Sequence, residues 1–278
     1  MTTDQFIELA LQEDVGAGDH SSLSTIPESA TGKAKLLVKQ NGIAAGLELA
    51  KQIFFKTDPA LKIEMHGKDG QVIHPGDILF YIEGSSRSIL TAERLVLNCM
   101  QRMSGIATIT SQYVKELEGL STKLLDTRKT TPLFRMMEKW AVKIGGGCNH
   151  RFGLYDMIMI KDNHVDYAGG ITNAIRKANE YILKNSLSIQ IEIETRNLDE
   201  VKLVLETGKV DRIMLDNFSP DLLREAILLI DKRFETEASG GITLETIRSY
   251  ALTGVDYISC GALTHSAHNI DLSLKAIH

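Results

Sequence analysis

The chain has 278 residues, is 43% hydrophobic and 24% charged, and carries a net charge of −5. That composition suits a soluble α/β protein of one large or two unequal domains, with ample length for a core. It argues against a nucleic-acid polymer as partner, because no basic stripe stands out to neutralise a row of phosphates. It also argues against a membrane span, because no apolar run approaches the roughly 18 residues one needs.

The opening stretch, MTTDQFIELALQED, is acidic and amphipathic, unlike a secretory leader. Thr2 and Gln5 have the spacing of a capping box, and Phe6, Leu9 and Ala10 follow at helical intervals. From Gly32 to about Leu90 the pattern is mainly β. KAKLLVKQ and ALKIEMHG read as strands around one helical segment, GLELAKQIFFK, and DGQVIHPGDILFYIEG reads as strands broken by turns. A long helix is expected over TAERLVLNCMQRMSGIATITSQYVKELEGL, with Gly105 as its weak point and the domain boundary near residue 110. Residues 1–110 then form the first domain and 111–278 the second, with the last residues packing back on the first.

Beyond residue 120 the texture changes to strand–helix alternation. TKLLDT, DMIMIKD, IQIEIE, DRIMLDN, ETEASG and DYISCG read as strands. Between several of them lie amphipathic helices, among them SPDLLREAILLIDKR with Ser219 as N-cap and TLETIRSYALTG with Thr243 as N-cap. Such alternation predicts parallel strands joined by right-handed crossovers.

The predicted strands end, in order, at Arg128-Lys129, Lys161, Glu194, Asp216, Ser239-Gly240-Gly241 and Gly261. From Lys161 onward these positions are 33, 22, 23 and 22 residues apart, close to one βα unit each. A polar group or glycine at every tip is the pattern of a site at the C-terminal face of a barrel or open parallel sheet. Period-2 alternation in IQIEIE sets Glu192 and Glu194 on the face opposite the isoleucines. That face is either the barrel interior, where the acids need cations beside them, or water at a sheet edge. ASGGIT and CGALTH have the small residues of an anion cradle. Arg102, Arg128, Lys129, Arg151 and Lys161 concentrate positive charge on an acidic chain, and His150 adds a donor, which suits a small polyanion. Cys99, Cys148 and Cys260 form no CxxC pair and fit free thiols in a reducing cytoplasm. On these residues alone, a Schiff-base aldolase using Lys161 and a non-catalytic phospholigand binder both stay open.

The segments NCMQRMSGIAT, DTRKTTP, EKWAVKIGGGCNHRFGLYDMIMIKDNH, IEIE, MLDNF, EASGGIT and SCGALTHS together resemble the quinolinate phosphoribosyltransferase family, from about residue 13 nearly to the C-terminus. A related same-fold protein of molybdenum-transport operons is the nearest alternative. The resemblance implies an N-terminal α/β sandwich plus a C-terminal incomplete, TIM-like α/β barrel. It implies phosphoribosyl transfer from phosphoribosyl pyrophosphate to quinolinate with decarboxylation, Mg²⁺ carried with the pyrophosphate, and a homodimer. By the same resemblance, Arg128, His150 and Arg151, with Lys129, clamp the quinolinate carboxylates, and Arg102 reaches in from the other subunit. Lys161 serves the phosphoribosyl and pyrophosphate end, and Glu194 and Asp216 hold ribose hydroxyls and metal. Ser239, Gly240, Gly241 and Gly261 cradle the 5′-phosphate, with His265 beside it. After TRKTTP the family has Gly-Leu-Arg where this chain has Leu133-Phe134-Arg135, so that loop is the one visible departure.

Overall fold

The computed structural model describes residues 1–277. In chain order the first elements are α1 (Thr3–Val15), α2 (His20–Thr25), β1 (Thr31–Val38), β2 (Gly42–Ile43), α3 (Leu47–Thr57), β3 (Lys62–Met65), β4 (Val72–Ile73), β5 (Ile78–Ser85) and the long α4 (Ser86–Glu116). Next come β6 (Lys123–Leu125), α5 (Arg135–Ile144), β7 (Met157–Ile160), α6 (Asp162–Ala168), α7 (Ile171–Asn185), β8 (Gln190–Thr195), α8 (Leu198–Thr207) and β9 (Arg212–Asp216). The chain finishes with α9 (Pro220–Ile230), β10 (Glu235–Ser239), α10 (Ile247–Ala251), β11 (Tyr257–Ser259), α11 (Ala262–His265) and β12 (Leu272–Ile277).

The chain forms two compact units that are discontinuous in sequence. Met1–Ser111, Thr130–Gly146 and the segment from Ser266 onward make the first, and Gln112–Lys129 with Gly147–His265 make the second. Helix α5 and strand β12 both belong to the first unit, so the units do not divide at one point in the sequence.

The first unit is built on a four-stranded antiparallel sheet in the order β12-β1-β5-β3. Alternation along β1 turns Ala34, Leu36 and Val38 inward. The buried face of α3 meets the sheet through Phe54, whose ring stands edge-on to Phe80 of β5 at 5.9 Å. The expected capping box at α1 forms, with Thr2 and Gln5 bonding one another's backbone N–H. Gly105 does not weaken α4, which runs unbroken for 31 residues. A Cβ at Gly105 would collide with the backbone carbonyl of His268, so glycine is there to let the C-terminal segment cross close to the helix. Leu133, the departure noted in the sequence, takes a left-handed backbone with φ 62°. That conformation costs a leucine roughly 1–2 kcal/mol. Phe134 beside it packs its ring 5.5 Å from Phe6.

The second unit is a six-stranded parallel sheet in the order β6-β11-β10-β9-β8-β7. That is the order of a barrel opened between its first two strands, β6 and β7. In the gap the chain makes one parallel bridge, from Leu125 to Cys148. The expected cap Ser219, followed by Pro220, is in place, and α8 ends at Gly208. Thr243 does not cap a helix. The N–H groups of Thr246 and Ile247 both bond its carbonyl, at 3.1 and 2.9 Å, so residues 243–246 form a turn and α10 is only five residues long. Among the described residues no helix is long and apolar enough to cross a membrane.

Candidate active site

The C-terminal tips of all six parallel strands line one cavity of about 850 Å³ within the second unit. Beyond β6 stand Thr127, Arg128 and Lys129, and beyond β7 stands Lys161. Strand β8 delivers Glu194, β9 Asp216 and Asn217, β10 Ser239 to Gly241, and β11 Ser259 and Gly261, with His265 on α11. The 147–151 segment adds His150 and Arg151. Every residue given a substrate or metal role by the resemblance lines this cavity except Arg102, which belongs to the first unit.

Arg128, Lys129 and Arg151 bring positive charge to the cavity, and burial, with Arg128 as a like-charged neighbour, pulls the Arg151 guanidinium below its ordinary pKa. One guanidinium nitrogen of Arg151 donates to the carbonyl of Met157 at 3.2 Å, which holds the side chain to the start of β7. Glu194 and Asp216 share Lys161. Its Nζ lies 3.6 Å from Glu194, and the Lys161 N–H donates to the His164 ring at 2.9 Å as α6 begins. Burial pushes both carboxyls above the usual carboxylate range, against the pull of Lys161. Two half-buried acids with raised pKa values, facing a lysine, can hold a cation or a developing positive charge.

Beneath this rim lies a fully buried layer. Glu192 of β8 and Glu237 of β10 are each 0% exposed and converge on His150 Nε2, at 3.0 and 3.4 Å. Arg212 of β9 places Nη1 3.1 Å from Glu237 and 3.9 Å from Glu192. It also bonds Glu235 at 3.0 Å and stacks 4.1 Å from the Tyr257 ring. His150 Nδ1 faces the N–H of Arg151 at 2.6 Å, so the neutral ring carries its proton on Nε2. Burial disfavours the charged ring, but the hydrogen bonds and charges of Glu192 and Glu237 outweigh it and raise the His150 pKa to about 9. The Arg151 amide opposes the second proton. The direction is upward, because two carboxylates bear on Nε2 and one amide dipole on Nδ1. Burial, reinforced by Glu237, raises Glu192 to about 7. Burial acts on Glu237 too, but His150 and Arg212 outweigh it and hold that carboxyl low. His150, Glu192 and Glu237 have ligand atoms within 4.8 Å of one another, as a metal trio would. The Arg212 guanidinium already supplies the compensating charge there, so the layer reads as an ion-pair network.

The cradle at the tips of β10 and β11 depends on close approach. A Cβ at Gly240 would strike the Asn217 carboxamide, and Gly241 follows with φ 62° in open space. The N–H of Asn217 donates to the Ser239 carbonyl at 2.8 Å, tying β9 to β10 at the rim. Helix α10 begins only at Ile247 and spans five residues, so its first turn lies outside the residues that line the cavity. Arg102 forks onto the buried Glu138 at 3.0 and 2.9 Å and donates to the carbonyl of Ala267 at 2.8 Å, all within the first unit.

Sequence reasoning left Glu237, Arg212, Ser259 and Asp126 out of the site. The alternation that placed Glu192 and Glu194 inward, applied to ETEAS and DRIMLDN, puts Glu237 level with Ser239, and Arg212 level with Met214 and Asp216. Asp126 has no such signal, since its side chain acts on residues 23 and 24 positions away.

Fold and site together define an α/β-barrel protein that gathers cations and carboxylates around a small anionic ligand. Residues 19–104 and 106–275 match the family models described as the N- and C-terminal domains of quinolinate phosphoribosyl transferase. A carboxylating nicotinate-nucleotide pyrophosphorylase of Arabidopsis thaliana, named as chloroplastic, is 48% identical over 284 residues, covering 97% of this chain and 81% of its own length. A decarboxylating quinolinate phosphoribosyltransferase of Nicotiana glauca, named as mitochondrial, is 46% identical over 286 residues, covering 98% and 81%. The crystal structure of a nicotinate-nucleotide pyrophosphorylase from Ehrlichia chaffeensis superposes with a TM-score of 0.92 at 36% identity, covering 100% and 99% of the two chains. The chain belongs to the quinolinate phosphoribosyltransferase family.

Proposed function

We infer that the protein transfers the phosphoribosyl group of phosphoribosyl pyrophosphate to the ring nitrogen of quinolinate, releasing pyrophosphate and carbon dioxide and giving nicotinate mononucleotide for NAD biosynthesis. The observation that carries this reading is the convergence of six strand tips on one cavity lined by guanidinium and ammonium groups together with carboxylates.

In this reading Arg128 and Arg151, with Lys129, receive the two quinolinate carboxylates, since arginine forks match carboxylate geometry. His150 contributes charge and shape, because its ring nitrogens are directed at the Arg151 amide and at Glu192 and Glu237. Ser239, Gly240, Gly241, Gly261 and His265 surround the 5′-phosphate. As the C1′–O bond breaks, its electron pair leaves with pyrophosphate, near Lys161. Glu194 and Asp216 hold the ribose hydroxyls and stabilise the oxocarbenium-like centre by their charge. The positioned pyridine nitrogen supplies the pair for the new C–N bond. The ring, now cationic, takes up the electrons of the adjacent C–carboxylate bond as carbon dioxide departs, and a proton from water completes the product. Orientation and charge therefore carry both steps.

Glu194 and Asp216 also fit a magnesium ion. Both are oxygen donors, and a divalent cation relieves the burial that raises their pKa values. Bound there with pyrophosphate, Mg²⁺ would neutralise the leaving group. Three free thiols, of which burial pushes Cys99 and Cys260 up to about 12, are suited to a reducing compartment such as the cytoplasm.

Purified protein supplied with quinolinate, phosphoribosyl pyrophosphate and Mg²⁺ is expected to release carbon dioxide and nicotinate mononucleotide; absence of both products rejects the reading. Borohydride with a carbonyl substrate is expected to trap no adduct on Lys161, whereas an aldolase would give one. We further propose a homodimer in which Arg102, oriented by Glu138, serves the partner's site. Mixing inactive Arg102→Ala with inactive Lys161→Ala protein is then expected to restore part of the activity, since one of the two sites in the heterodimer regains a full set. Heterodimers that form and stay inactive reject the shared site.

A further inference from the structure

We propose that Asp126 is a positioning residue for quinolinate: its buried carboxylate locks together the two segments that carry the carboxylate-binding cations. The proposal rests on the functional reading above and adds a residue that touches no substrate in it.

Strands β6 and β7 share no ladder, and the two chain segments flanking the gap carry opposite halves of the cationic wall. Arg128 and Lys129 follow β6, and His150 and Arg151 precede β7. Backbone pairing between the segments is short. Cys148 N–H donates to Leu124 O at 2.8 Å, and Asp126 N–H donates to Cys148 O at 3.1 Å. Where the ladder stops, the Asp126 side chain continues it. One carboxylate oxygen accepts the backbone N–H of His150 at 2.8 Å, and the other accepts the Asn149 carboxamide at 2.6 Å. Asp126 is 0% exposed, and a carboxylate so deep persists only where donors converge on it. A strand pair tolerates slippage where few bonds fix its register. Here one side chain fixes the spacing between Arg128 and Arg151, on which a bidentate grip on two carboxylates depends. The β6 side is pinned too, because Thr264 Oγ1 donates to the Lys129 carbonyl at 2.7 Å.

The group at 126 must be acceptor-only. Asparagine there sets an NH₂ against either the His150 N–H or the Asn149 NH₂, whichever way its amide turns. Against Asn149 the conflict is reversible by exchange: with Asp at 149, the asparagine NH₂ at 126 again meets an acceptor, while its C=O still accepts the His150 N–H.

The test measures KM for both substrates, kcat and thermal unfolding for Asp126→Asn, for Asn149→Ala, and for the double variant Asp126→Asn/Asn149→Asp. Asp126→Asn is expected to raise the quinolinate KM at least 10-fold, with the phosphoribosyl pyrophosphate KM within about 3-fold of wild type, and the exchange is expected to recover most of the loss. Asn149→Ala, which leaves the His150 bond intact, is expected to move the quinolinate KM in the same direction by less, and it decides the matter if Asp126→Asn does not fold. An unchanged quinolinate KM in a folded variant overturns the proposal, as does a parallel rise in both KM values that the exchange fails to rescue. A wild-type protein that makes no product removes the functional reading itself, whereas active wild type with indifferent variants removes only the role of Asp126.

Discussion

Replacing Arg212 with methionine is expected to destabilise the fold by about 3–5 kcal/mol, the cost of stranding buried charge once its partner is removed. Arg212 is the one arginine that touches both acids of the buried layer, at 3.1 Å from Glu237 and 3.9 Å from Glu192, and neither acid is exposed. The loss should depend on pH, and its sign follows from the same groups. Glu192, raised to about 7, keeps its proton in the folded state after the unfolded chain has released it. Its contribution therefore declines as pH rises from the ordinary carboxylate range through 7. His150, raised to about 9, adds stability that is full below its unfolded pKa and is lost as pH rises through 9. Glu237, held low, adds stability that is lost only as pH falls through its folded pKa. All three together favour mildly acidic conditions. Below pH 7 the variant has one buried anion fewer to leave unpaired, so its deficit is expected to be smaller at pH 6 than at pH 9. Urea denaturation of wild type and Arg212→Met at both pH values checks this; an equal deficit at the two contradicts the charge assignment.

The barrel was legible because its signals are local and repeat. Each parallel strand is a short apolar run ended by a polar or glycine tip, and the 22- and 23-residue spacings from Glu194 onward count out the units that bring those tips to one mouth. Lys161, Glu194, Asp216 and Ser239 could therefore be placed without coordinates. What stayed hidden depends on contacts distant in sequence. Gly105 reads as a flaw in a helix until His268 is seen crossing it. Thr243 reads as an N-cap because a Thr before an apolar period usually is one, yet its carbonyl closes a turn that delays the helix to Ile247. Helix α5 offers a high proportion of charged and aromatic residues and no capping side chain at Phe134, so no start signal marks it. Asp126 looks like the polar end of a strand, and nothing within ten residues reveals that it holds Asn149 and His150. Leu133 was visible as a departure in the letters, but its left-handed φ was not, because a leucine rarely adopts that backbone.

Arg151→Ala is expected to weaken quinolinate binding by roughly 1.5–3 kcal/mol, the range for a hydrogen bond to a charged group, or on the order of 10- to 150-fold. Phosphoribosyl pyrophosphate affinity should be little changed. The electrostatics of Arg151 argue for an effect at the upper end. Arg151 is half-buried with its pKa pulled down by burial and by Arg128, so two like charges are held close at a cost that an arriving dianion removes. Binding is then favoured twice, by the new charge-assisted bonds and by relief of that repulsion, and alanine forfeits both. Lysine at 151 restores the repulsion and its relief but not the planar fork, so Arg151→Lys separates the two parts. If the fork dominates, lysine should recover less than half of the lost binding free energy; if net charge dominates, it should recover nearly all of it and the affinity should fall steeply with salt. Calorimetric titration of quinolinate into the three proteins at two ionic strengths reads out both quantities. An Arg151→Ala protein that binds quinolinate as tightly as wild type would mean that the carboxylates lie elsewhere in the cavity, and Arg128 with Lys129 would then have to carry the grip alone.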